Sequence, residues 1–443
     1  MSTEPTLPRR RLGLFDVLCL GVNATVGSGV FALPDDMQRA MGGWSPFAYL
    51  LCTLLLLPVA LCFAELSGRF DETGGAFVYA RHAFGDKVGF VVGWYCWAAT
   101  FIAWAANTTL FIELCGLHAY PWNKLLSALA IVALGVVNYF GVKPGALLVN
   151  AVVIGKLGAI FCFLAVAVFA IQPGHFGGPL PLGVAGVGQG IYLALFPLQG
   201  FEVTPVAAGE TDNPRRNVPL GTMGALLLSA LLFIIVQATL VGSYPALADE
   251  SPKPLADAAR YLGRGIGLIV LVGSMVSVGG FNAGSALGAP RYAQAIANRG
   301  LLPRPLARIH PRFATPHLAI AATTTISAIL AFFFDYRQLV GMSNVTVVVQ
   351  YLFACLAVLA LRRRGPAASE SPAWVTPEGP VYRSAATAGR AAPWVIPGGP
   401  IVPVLGAIGS LLLVTGASQA ELLFAAAALA VGVVVGVLSS RKG

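Results

Sequence analysis

Lys156 and Glu202 are ionisable side chains set in stretches that otherwise hold almost only apolar residues. Lys156 lies about twelve residues beyond Pro144, so at ~1.5 Å per residue it would sit roughly 18 Å along a helix, too deep to reach water by snorkelling. An ammonium at that depth in a bilayer costs at least ~2.5 to 3.5 kcal/mol and needs an internal partner. It either pins backbone carbonyls as a fixed strut or exchanges a proton with its surroundings. Glu202 poses the same choice between an internal ion pair and a carboxylate aimed at a ligand. A third feature is backbone chemistry: Gly27-Ser28-Gly29 falls at the middle of the apolar stretch Leu14 to Met41, where glycine is among the worst residues for a helix. A half-helix restarting near Val30 would point unpaired N–H groups at an anion such as a carboxylate. Close packing against another helix is the competing explanation.

The elements that must position these groups are membrane spans. The chain has 443 residues, 57% of them apolar and 11% charged, with a mean hydropathy of +0.77, values that exclude a soluble globule of this size. Cutting the apolar stretches at turn residues and charges predicts twelve transmembrane helices. Most of the 28 basic residues, among them Arg9 to Arg11, Arg215, Arg216 and Arg362 to Arg364, fall on one side if the N-terminus is cytoplasmic, which places both termini there. The net charge of +9 then needs no nucleic acid. The first apolar run is too long for a cleavable signal. The sixth span is broken like the first, with Pro197 and Gly200 at its middle and Pro205 just beyond. Two broken spans, each the first of its half, predict inverted five-helix repeats with a binding site between them. Packing glycines alone do not account for both.

Catalysis has no foothold. The seven cysteines lie in or at the ends of spans without paired spacing, and the five histidines stand apart from any cysteine or carboxylate cluster. No phosphate loop or nucleophile elbow is present. We expect no metal, no cofactor and no enzyme. Asn107, between Trp104 and Thr108 in the third span, is suited either to an interhelical hydrogen bond or to a ligand. The stretch SPKPLADAARYLG reads as a short proline-capped amphipathic helix on the outside, and helices 9 to 12 read as scaffold apart from Asn344 and Gln350.

Three blocks carry a family resemblance. Residues 63 to 94, FAELSGRFDETGGAFVYARHAFGDKVGFVVGW, resemble the "AEL...GGAYVYxxxxFGxxxGFxxGW" block of the amino acid/polyamine/organocation superfamily of permeases. Residues 207 to 219, AAGETDNPRRNVP, resemble its "EExxNPxRxxP" ending, and the stretch from Arg291 to Pro316 resembles its "R...A...DGLLPxxxxxxHPxxxTP" block. In the last, Asn298-Arg299 stands where an acid is usual, so an ion pair relying on that acid is not carried over. The resemblance is strongest from residue 20 to 318.

The resemblance implies an all-α polytopic protein with a 5+5 inverted-repeat (LeuT-like) core, helices 1 and 6 broken, and helices 11 and 12 added. It divides the chain into a cytoplasmic tail (1–12), a first repeat (13–171), a second repeat (186–361), a cytoplasmic linker (362–399) and two last helices (400–438). It also implies that Asn107 lines the substrate cavity, that Phe196 closes over the substrate, and that Glu202 senses substrate or protons. Lys156 matches a helix 5 lysine that replaces the cation bound between helices 1, 5 and 8 in sodium-coupled relatives; Ser285 is its candidate partner on helix 8. The expected function is secondary transport of an amino acid across the cytoplasmic membrane. Its carboxylate would meet the N–H groups of Gly27, Ser28 and Gly29, beside Val26. Its ammonium would meet carbonyls near Asn23, Ala24, Phe196, Pro197 and Leu198. Proton symport and exchange stay open. So do a polyamine or other cationic cargo and, in another class, a solute receptor that moves nothing. Cys115 is weak ground for a disulfide-linked partner subunit.

Overall fold

The computed structural model describes residues 12–70, 74–117, 119–141, 146–364, 374–376, 379–381 and 395–440. Nearly all of the expected 1–12 tail, most of the 362–399 linker, and Pro144 lie outside these residues. The described chain is helical apart from one short antiparallel pair, Trp374–Thr376 with Gly379–Val381.

The first apolar stretch forms three pieces: α1 (Leu14–Thr25), α2 (Gly29–Ala32) and α3 (Pro34–Met41). A single break was expected near Gly27. The second, at Leu33, arises because Pro34 has no N–H to donate and its ring excludes the preceding turn. The restart is at Gly29 rather than Val30. The chain continues through α4 (Pro46–Arg69), α5 (Ala76–Phe84), α6 (Asp86–Leu114), α7 (Trp122–Tyr139) and α8 (Ala146–Ala167). The next helix, α9 (Gly183–Leu198), stops at a break and gives way to a 3-10 segment, Phe201–Glu210. Beyond it come α10 (Pro214–Ser243), the short α11 (Pro254–Leu262), α12 (Arg264–Asn298), α13 (His317–Phe333), α14 (Tyr336–Arg364), α15 (Ile401–Val414) and α16 (Gln419–Ser440). Pro34, Pro46, Pro214 and Pro254 each open a helix, where a fixed φ helps and the missing N–H costs nothing.

Ten helical stretches among the described residues are long and apolar enough to cross a membrane, and α13 and α15 are apolar but shorter. The apolar residues are distributed as a bilayer requires. Val17, Leu56, Phe63, Trp104 and Tyr351 are fully buried, while Ile154, Phe161, Leu268, Phe333 and Leu423 are exposed on the outer surface, where only lipid would solvate them without penalty. Inside, α6 packs on α12 and α14, α4 on α10 and α9, α1 on α10, and α8 on α12. The helix α11 buries Leu255, Ala258 and Ala259 against α2, α8 and α12.

Candidate functional site

The two breaks lie against each other. A Cβ added to Gly29 would stand 2.4 Å from Cγ of Pro197, and one added to Gly200 would stand 2.6 Å from the backbone of Ala24 and Thr25. Gly200 also has φ +120°, in the region that favours glycine. Only glycine at both positions lets the interrupted backbones touch. In the first break, Gly27 donates its N–H to Thr25 O at 2.8 Å, whereas Ser28 and Gly29 have no backbone acceptor among the described residues. Helices leave such groups unpaired at their starts.

Lys156, on α8 and 2% exposed, fills the other side of that break: its Nζ donates to Asn23 O and to Val26 O, both at 2.8 Å. The ammonium thus takes two carbonyls that the end of α1 cannot pair. Ser285 lines the same cavity from α12 without a hydrogen bond to Lys156 among the described contacts. Glu202 follows the second break. One of its oxygens accepts Gly200 N–H at 2.8 Å and the Tyr351 hydroxyl at 3.1 Å, so the carboxylate is held by the break itself and by α14. Asn107, on α6, donates Nδ2 to Ala103 O at 2.7 Å. A carbonyl can only accept, so this bond fixes the amide and leaves Oδ1 buried without a partner among the described residues.

These groups surround one cavity of about 440 Å³. Asn23, Ala24, Gly27, Ser28, Gly29, Asn107, Lys156, Phe196, Pro197, Glu202 and Ser285 all line it. Of the residues singled out from sequence, Val26 and Leu198 do not; both are fully buried, and Val26 contributes its carbonyl to Lys156. From the breaks the lining continues along α12 through Gly284, Gly288, Tyr292 and Ala295 to Gly74, toward the face that carries Leu12 and Asn298. The opposite end is shut. Phe196 meets Tyr336 edge to face at 6.2 Å between centroids, and the Tyr336 hydroxyl donates to Ser28 Oγ at 3.2 Å. Above them Arg337 bonds Asp35 at 2.9 Å, Asp36 at 2.7 Å and Glu250 at 3.0 Å, and Arg39 pairs with both aspartates.

The sequence reading passed over most of α14. Tyr336 and Tyr351 act as described, and Asn344 accepts from Gln199 Nε2 at 2.7 Å while donating to Tyr192 O at 2.8 Å, which braces the second break. The signal was available in Asn344 and Gln350, two amides in one apolar span.

With ten membrane-length helices among its described residues and a solute-sized cavity between two interrupted helices, the chain has the architecture of a polytopic helical membrane protein. Comparison with known sequences makes this specific: the family described as amino acid permease matches residues 12–439, and the chain belongs to that family. Among its relatives, the branched-chain amino acid permease BcaP of Bacillus subtilis is 26% identical over 82% of this chain and 83% of its own length. The methylthioribose transporter of the same organism is 25% identical over 81% and 82%. Its serine/threonine exchanger SteT is 28% identical over 88% and 91%.

Proposed function

We propose that this permease carries an amino acid by alternating access between two inverted repeats of a twelve-helix chain, with the Leu12 face cytoplasmic. The observation that carries the reading is the meeting of two interrupted helices, glycine against proline and glycine against backbone, at the head of a cavity. The packing supports the repeat. The first span of one half contacts the second of the other, α1 on α10, and the reverse pair, α9 on α4, is also in contact. The same exchange relates α6 on α13 to α12 on α7. Relatives that move amino acids support the cargo, while the methylthioribose transporter marks how far substrates diverge at this level of identity. All of these relatives are transporters, so we read the chain as no enzyme.

In this reading the substrate carboxylate meets the N–H groups of Ser28 and Gly29, and its ammonium meets carbonyls freed at Ala24 and Pro197. Phe196 with Tyr336 closes over it from the Arg337 side. Lys156 stands in for a cation on the first break, and its release or retention of the Asn23 and Val26 carbonyls couples movement to a proton. Glu202 also supports a second reading, a cationic amine as cargo.

Flux into proteoliposomes separates the mechanisms. Accumulation driven by a pH gradient into empty vesicles means symport, and accumulation only against a loaded lumen means exchange. Binding without flux in either condition would overturn transport in favour of a receptor.

A further inference from the structure

Gln350 is 7% exposed, and Cys96, on the facing wall, is 3% exposed. The Cys96 thiol donates to Gln350 Oε1 at 3.1 Å, and both residues line the cavity. The amide nitrogen of Gln350 has no protein acceptor among the described residues and is not completely buried, and the residue lines the cavity. Its remaining surface therefore faces the cavity. An amide in a membrane-spanning helix is costly unless its groups are paired, and a primary amide has two N–H donors and two acceptor positions, of which the thiol occupies one.

The surroundings direct this amide at a ligand. Val347, one turn earlier on α14, lines the cavity, and Tyr351, the next residue, holds Glu202. Across from them α6 offers Ala99, Thr100 and Ala103, small side chains that leave room beside Gln350. Thr100 donates to Trp97 O at 2.7 Å, so its hydroxyl oxygen can only accept from a ligand, as can the unpaired Oδ1 of Asn107 on the same helix. The free N–H donors on this side of the cavity are those of the neutral Gln350 amide, with neutral acceptors beside them.

We propose that Gln350, anchored by Cys96, reads the side chain of the cargo, and that the preferred cargo is an amino acid with a neutral hydrogen-bonding side chain, an amide or a hydroxyl. The inference rests on the amino acid reading above and assigns its substrate class. An aliphatic side chain would leave the amide unpaired, and a cationic one would face its N–H donors.

The test is competition for uptake into proteoliposomes by glutamine, asparagine, serine, leucine and lysine, with wild type, Gln350→Leu and Cys96→Ala. Wild type should favour the amides or serine. Gln350→Leu should raise KM for those by about tenfold relative to KM for leucine, the scale of one buried neutral hydrogen bond. Cys96→Ala should move the same ratio in the same direction by a smaller factor. A wild type that prefers leucine or lysine overturns the proposal, even if no variant folds. So does a Gln350→Leu protein in which every substrate weakens by one common factor, because that is a structural effect. A wild type that moves none of the five overturns the transport reading instead.

Discussion

At the scale of single residues, two glycines at the breaks have different jobs. Gly200 combines a φ of +120° with a backbone contact, so Gly200→Ala should destabilise the protein by about 2 kcal/mol or more. Gly27, whose added Cβ would meet only the Phe281 ring at 3.7 Å, should tolerate alanine with a loss under about 1 kcal/mol. Thermal unfolding of the two variants in detergent checks the contrast; equal losses would mean that the two breaks do not press together. Lys156→Ala leaves the Asn23 and Val26 carbonyls unpaired, a cost of about 1–3 kcal/mol each, and should yield a folded protein whose flux no longer depends on pH. Retained pH dependence would remove Lys156 from coupling. Lys156 and Glu202 were legible in sequence because charge is rare inside apolar spans. Tyr336, Tyr351 and Gln199 were not, because their roles depend on neighbours more than a hundred positions away, such as Ser28 and Glu202.

Among the elements, α14 ties the most together. Its first turn supplies Tyr336 and Arg337 to the closed end, its middle supplies Asn344 to the second break, and Gln350 and Tyr351 reach the cavity wall. Arg337 joins α14 to α3 and to Glu250, ahead of α11, so one guanidinium ties three segments together beside the Phe196–Tyr336 contact. Arg337→Gln should weaken the closed end. Spin labels on Phe47 and Tyr261, both exposed, should then report a longer component in their distance distribution. An unchanged distribution would mean that Phe196 and Tyr336 suffice. The sequence placed the first break correctly at Gly27 to Gly29 because glycine runs are visible. It missed the one at Leu33 because Pro34 stands beside acidic residues that also suit an ordinary helix start.

For the whole molecule, the class was readable from composition, since 57% apolar residues over 443 positions permit little else. The cavity was readable at its head, where the two breaks meet; its further extent was not, because the remaining walls come from α6, α8, α12 and α14, and no periodicity within one helix reveals where such helices part. In the proposed function the facing breaks hold both ends of a zwitterion. Competition against a bound radiolabelled amino acid, using its decarboxylated amine and its deaminated acid, tests this. Each analogue should lose about a hundredfold or more in affinity, because each leaves one set of backbone groups unpaired. An amine that competes as well as the parent amino acid would contradict it.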